Sequence, residues 1–343
     1  MKERKLKQIV ASGLVLFFSL FVGLSSAQAQ GKQNLRMSTA SVGSIMYAFG
    51  AAMSDVIEKH NGPKIEILPH NALQGLSMLT TAENDLVMIA NDDLSMAYRG
   101  KDTYEKITGG KGFDVRVLML GTRIAAGQVV GGDSGINSYQ DLKGKRVVLT
   151  FGSSVAQNMG AKAALYAGGL TEDDVTALRT SDVVAAAQMV IDKKADACYG
   201  SIGTPVFQEI AAAHNGAKHL GIVDTPENWQ KVHEIFAGYF PMTVNPGPLT
   251  VKGQPIVLVG RNFTLTARPK LDDQSAYMIT KLLWEFDKEL GPSHPGLKDW
   301  VRANFVSVRA GAPYHPGAIK FYKEVGAWTP ELEQHNEKLL SLR

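Results

Sequence analysis

Short apolar runs rich in β-branched residues alternate along this chain with longer segments whose apolar positions recur every three or four residues. That alternation predicts a doubly wound α/β protein. Leu35–Thr39, Lys64–Pro69, Asp85–Ala90 and Val115–Gly121 read as strands. Ile45–His60 reads as a helix with Ile45, Phe49, Ala52, Met53 and Ile57 on one face, and Gly62-Pro63 stops it. Leu73–Thr80 is a second helix. Gln128–Val130 and Arg146–Thr150 are strands, the latter opening onto a helix over Val155–Ala167. Val175–Arg179 and Ala195–Gly200 are further strands, and Ser181–Lys193, Val206–Ala213 and Trp229–Tyr239 are helices between and after them. Pro255–Ala267 is extended and β-branched; Ser275–Leu290, Gly317–Val325 and Pro330–Leu342 are helical.

The N-terminus departs from this rhythm. Residues 2–7 are basic, Ile9 to Leu24 is almost wholly apolar, and Ala27-Gln28-Ala29 has the small-x-small pattern of a cleavage site. This predicts a secretory signal peptide over 1–29, an exported and periplasmic mature chain from about Gln30, and no retained anchor, since the apolar run is short for a span of roughly 20 residues. Lys2, Arg4, Lys5 and Lys7 against Glu3 account for the whole net charge of +3. The rest sums to zero, which removes the electrostatic case for nucleic acid. With 343 residues, 45% of them apolar, the chain is long enough for two domains held by their cores alone. The single Cys198 excludes an intramolecular disulfide framework and a multi-Cys metal site, and its setting in ADACYG reads as buried and inert.

Two places repeat one arrangement. The strand LRMSTA runs into Ser41-Val42-Gly43-Ser44 and a helix; the strand RVVLTF runs into Gly152-Ser153-Ser154 and a helix. Each helix start offers free N–H groups and the positive end of a dipole, with hydroxyls as extra donors. Each is also an ordinary Ser cap, but two facing one another across a cleft would clamp an anionic group. Other chemistry lacks its residues. Gly132-Asp133-Ser134-Gly135 is followed by Ile136 where the oxyanion turn of a serine protease needs Gly. The eight histidines show no zinc-type pairing, and no glycine-rich nucleotide loop follows a strand.

The ordered motifs are similar to those of the solute receptors of TRAP transporters of the TAXI type. Ser41 to Gly50 resembles that family's Gly-rich, Tyr-bearing first loop and helix, and Asp85 to Asp92 its D-L-A-(apolar)₂-Q-S-D stretch. Asp141 to Val147 spells DLKGKRV, an element common among type II periplasmic binding proteins; Gly203-Thr204-Pro205 resembles the family's G-x-P turn, and His315 to Tyr322 its C-terminal HPGA run. Three positions depart from the pattern. Met46 stands beside Tyr47 where the family has two Tyr, Asn71 to Gly75 replaces its Gly-Gly-Ser and Asn, and Gly121-Thr122-Arg123 stands where relatives carry Tyr.

The resemblance implies two doubly wound α/β domains joined by a hinge, the type II periplasmic binding protein fold. Domain one would hold 32–124 and 251–343 and domain two 125–250, with crossings near Ala125–Val130 and Pro246–Val251. It implies a non-enzymatic cleft for a small solute, handed on to membrane permease subunits by a monomer without cofactor or metal. The residues expected at the cleft are Gly43, Ser44, Met46, Tyr47, Asn71, Asn91, Asp92, Asp93, Thr122, Arg123, Ser153, Ser154, Gly203, Thr204 and Pro205. Asn91-Asp92-Asp93 is expected to leave a buried strand toward the cleft, and Arg123 to pair with a ligand carboxylate or with Asp93. The first outcome suits a zwitterion such as an amino acid, the second a plain organic acid; both carry a carboxylate. An ABC-importer receptor and an exported enzyme on the same scaffold are the alternatives.

Overall fold

All five side chains of the strand Leu86–Ala90 are buried, as a continuous apolar run requires when both faces of its sheet are covered. This strand, β3, runs parallel to β1 (Asn34–Ser38), which in turn pairs in parallel with β2 (Lys64–Leu68). The computed structural model describes residues 34–152, 154–236, 238–247 and 254–343. The expected signal peptide, Ser153 and residues 248–251 of one expected crossing lie outside the described residues.

The remaining strands are β4 (Arg116–Gly131), β5 (Arg146–Phe151), β6 (Thr176–Thr180), β7 (Ala197–Ser201), β8 (Ala217–His219), β9 (Phe240–Val244) and β10 (Ile256–Ala267). They form one sheet in the order β2-β1-β3-β10-β4-β7-β5-β6, with β8 on β4 and β9 on β10. The helices are α1 (Ile45–Lys59), α2 (Ala72–Thr80), α3 (Asn91–Arg99), α4 (Thr103–Thr108), α5 (Val155–Ala167) and α6 (Val183–Ile191). After them come α7 (Phe207–Ala213), α8 (Pro226–Ile235), α9 (Asp273–Glu285), α10 (Asp287–Ser293), α11 (Pro316–Glu324) and α12 (Pro330–Leu340).

Two long antiparallel strands carry the sheet from one apolar core to the other. Val259 of β10 faces Ala126 of β4, and Asn262 faces Arg123. Toward its C-terminus β10 pairs with β3 through Phe263–Ala267; toward its N-terminus it pairs with β9 through Ile256–Gly260. Ile124 and Phe263 accordingly pack in a first core with Phe49, Leu86 and Trp300, whereas Ala126 and Val259 pack in a second with Phe151, Tyr199 and Phe207. A parallel strand joined by helices on both sides of each flank gives the doubly wound α/β layering expected from the pattern.

Four elements differ from the sequence reading. Val115–Gly121 and Gln128–Val130 are parts of one 16-residue strand, β4; Gly121-Thr122-Arg123 breaks the apolar run, but pairing with β10 keeps the backbone extended. Asn91-Asp92-Asp93 leaves the buried strand β3 directly, as expected, but as the first turn of α3 rather than as extended chain, with Ala90 at the cap position and both Asp near the positive end of the helix. The segment read as a helix over Trp229–Tyr239 ends at Ile235 and gives way to β9. Ser275–Leu290 breaks at Phe286 into α9 and α10.

Candidate functional site

Helix starts gather where the two cores meet. Ser44 caps α1, its Oγ accepting from the Tyr47 N–H at 3.2 Å. Asn71 caps α2 by accepting from the Gln74 N–H at 2.9 Å. Ser154 precedes α5 and accepts no capping bond. Asp182 caps α6, one oxygen accepting from the Val184 and Ala185 N–H groups, both at 2.9 Å. These four residues line a cavity of about 60 Å³. At ~10–15 Å³ of such volume per water, that is room for roughly four to six waters or a solute of similar size.

The cavity is bounded from both cores. Ser41, Ser44, Met46, Asn71 and Asp93 line it from one side, and Phe151, Ser154, Gln157, Asp182, Tyr199 and Thr204 from the other. Several bonds tie the sides together. Ser41 Oγ–H donates to the second oxygen of Asp182 at 3.1 Å. His294 donates Nε2–H to the Gly203 carbonyl at 3.0 Å while its Nδ1 accepts from the Gly296 N–H. Burial holds the His294 pKa below its usual value, so the neutral ring with its proton on Nε2 fits both bonds.

Arg261 is the floor of the site. It stands on β10 between the two cores, is 5% exposed, and lines the cavity. Its Nη1 donates to the Ala156 carbonyl at 3.1 Å and to Tyr199 Oη at 3.3 Å; its Nη2 donates to Asp92 at 3.3 Å. Tyr239 donates to the other oxygen of Asp92 at 2.6 Å. The Arg261 Nε–H is buried and has no partner. Burial works against the guanidinium charge, but Asp92 together with Tyr199 and Tyr239 outweighs it, and the Arg261 pKa is raised.

Asp93 lines the cavity beside this pair and is 1% exposed. Tyr104 donates to it at 2.6 Å and the Ala156 backbone N–H donates as well. Burial pushes its carboxyl up to about 7, the hydroxyl of Tyr104 pulls it down, and the charge of Asp92 pushes it up again. The start of α5, expected to grip a ligand anion, therefore already faces a carboxylate of the protein, and so does the start of α6 through Asp182. Ile45 and Met46, the first two residues of α1, also line the cavity; their N–H groups come before the first intrahelical bond, and Ser44 Oγ caps the next one at Tyr47.

Of the expected site residues, Ser44, Met46, Asn71, Asp93, Ser154 and Thr204 are brought together at the cavity. Asn91 instead ties down another segment, donating to the Arg309 carbonyl and accepting from the Gly311 N–H, each at 2.8 Å. Asp92 is spent on Arg261 and Tyr239. Arg123 is exposed and lies over the Phe240 ring at 5.8 Å, away from the cavity lining. Gly43 and Gly203 meet the opposite side through their carbonyls, Gly43 accepting from the Val206 N–H at 3.4 Å. Tyr47 and Pro205 do not line the cavity, Ser153 lies outside the described residues, and so does the side chain of Thr122.

Residues missed by the sequence reading are Ser41, Asp182, Tyr199 and Arg261. Arg261 had a signal: a lone charge inside the apolar run IVLVGRNFTLTA must find a partner if the strand is buried. Asp182 had one too, as an acidic residue opening an Ala-rich helix. Among the described residues no cluster of His, Cys, Asp and Glu is suited to a metal ion, and no helix is long and apolar enough to cross a membrane.

A model of the NMT1-like family matches residues 37–326. The chain belongs to the NMT1-like family. This NMT1-like chain is similar in fold to PhnD1 from Prochlorococcus marinus, solved in complex with methylphosphonate, with a TM-score of 0.52, 10% identity, and coverage of 87% of this chain and 100% of that one. The shared fold is the two-domain type II periplasmic binding protein fold. Weaker likenesses are to a protein from Bordetella bronchiseptica RB50, at TM-score 0.48 and 17% identity over 90% of this chain and 98% of that one. A mutant of ArgBP from T. maritima matches at TM-score 0.44 and 14% identity over 78% and 94%.

Proposed function

We propose that this NMT1-like protein is an exported periplasmic receptor that captures a small solute between its two lobes and delivers it to a membrane importer. The observation that carries the reading is the cavity between the two cores, lined from both and including Arg261 with its unpartnered Nε–H. The lobes, 32–124 with 251–343 and 125–250, would open and close about the β4–β10 crossing, as hinged binding proteins do. The type II periplasmic binding protein fold supports the class of function by analogy. The order of the SVGS, DLKGKRV and HPGA motifs favours a TRAP-type permease as partner, with an ABC-type importer as the alternative.

The cavity favours a solute with both a carboxylate and an amine. A plain anion would sit between Asp93 and Asp182; a plain cation would leave the buried Arg261 Nε–H unmet, at a cost of about 1–3 kcal/mol. A zwitterion satisfies both. A thermal-shift screen of matched amino acids, mono- and dicarboxylates, amines and sugars tests this. The expected hit is a small amino acid, recovered chemically unchanged. A hit confined to sugars or cations would overturn the ligand class, and turnover of the solute would overturn the receptor.

A further inference from the structure

Asp93 differs from the other carboxylates of the cleft. Asp92 has its charge matched by Arg261 and a second bond from Tyr239. Asp182 accepts from two peptide N–H groups and Ser41. Asp93 receives one hydroxyl and one peptide N–H, and Arg261, the cation acting on it, is already paired with Asp92. A carboxylate buried next to a second carboxylate is costly to ionise until a cation reaches it.

The groups facing Asp93 come from every element around it. Asp92 stands on its own helix, Tyr104 on α4, Arg261 on β10, and the Ala156 N–H on α5. Across the cavity stands Asp182, with Tyr199 and Tyr239 joined through Arg261 and Asp92. Burial raises the hydroxyl pKa values of Tyr104, Tyr199 and Tyr239, so these remain neutral donors. Arg261, whose buried Nε–H has no partner, lines the same cavity, as do Ile45 and Met46 in the first turn of α1.

We propose that Asp93 is the proton-linked ammonium acceptor of the cleft: a small zwitterion sets its ammonium on Asp93 and an anionic oxygen on the Arg261 Nε–H. The proton that Asp93 held passes to solvent, the ammonium keeps its own protons, and no covalent bond changes. This rests on the solute-capture reading above. It makes Asp93 a selectivity residue, preferring amine-bearing acids to plain ones. It also makes capture weaken as the pH falls through about 7, where burial has placed this carboxyl.

The test uses the mature protein with L-alanine, propanoate and ethylamine as probes. Calorimetry at pH 7 in two buffers of different ionisation heat should show L-alanine binding with release of about half a proton. Its affinity should fall about tenfold per pH unit below the midpoint and level off above it. Asp93→Asn should abolish the buffer dependence and the preference for L-alanine over propanoate. Tyr104→Phe removes the hydroxyl that holds the Asp93 pKa down, so the midpoint should move to higher pH; a merely structural role would leave it in place. Buffer-independent heats, a preference for propanoate or ethylamine, or no binding of L-alanine overturn the proposal. If another solute in the wider screen raises Tm, capture survives that failure; if none does, the receptor reading falls with it.

Discussion

Replacing Asp93 by Asn should stabilise the ligand-free protein, and by an amount set by pH. The carboxyl rises from an ordinary 3.8 to about 7 on folding. The folded state therefore keeps a proton that the unfolded chain has lost, across the interval between those values. Stability from this group is fully present below the unfolded value and is lost as pH rises through the folded one. About three pKa units correspond to ~4 kcal/mol. Asn stays neutral throughout and keeps an oxygen for Tyr104 to donate to. The stability of Asp93→Asn minus that of the wild type should thus climb by ~1.4 kcal/mol per pH unit up to about 7 and then stay level. Urea unfolding followed by far-UV circular dichroism at pH 5, 6, 7 and 8 measures it. His294 and His315, whose pKa values burial lowers, contribute the opposite slope, but in both proteins, so the difference removes them. A difference that is flat with pH, or largest at pH 5, would refute the reasoning.

Three other outcomes follow from the same region. Arg261→Met should cost ~3–5 kcal/mol in chemical unfolding because it strands buried Asp92, whereas Arg261→Met with Asp92→Leu should recover most of that; equal losses would show the pair to be uncoupled. Gly160→Ala in α5 should lower stability by ~1–3 kcal/mol despite the better helix propensity, since a Cβ there collides with Tyr199 Oη and comes within 3.0 Å of Arg261 Nη1; a rise in Tm would contradict it. Cys198 is fully buried and its thiol is pushed up to about 12, so labelling by a thiol reagent should track global unfolding, and rapid labelling of the native protein would show otherwise.

Much of this protein was legible along the chain. Strands such as Leu86–Ala90 and helices such as Ile45–Lys59 follow from apolar periodicity, and Ser44 and Ser154 announce helix starts, because propensity, period and capping act over a few neighbouring residues. The start of α3 was harder: Asn91-Asp92-Asp93 reads as the exit of a buried strand, and the packing of Leu94, Ala97 and Tyr98 on the core makes it the first turn of a helix. The two halves of β4 likewise became one strand only because β10 pairs along it. The chemistry of the cleft was decided further still from local sequence. Nothing local joins Asp92 to Arg261, 169 residues away, or Ser41 to Asp182, 141 away. Folding brings them together, and burial then decides which charge is matched, which N–H is left open, and which carboxyl keeps its proton. Local order needs only near neighbours; a buried charge depends on everything packed around it.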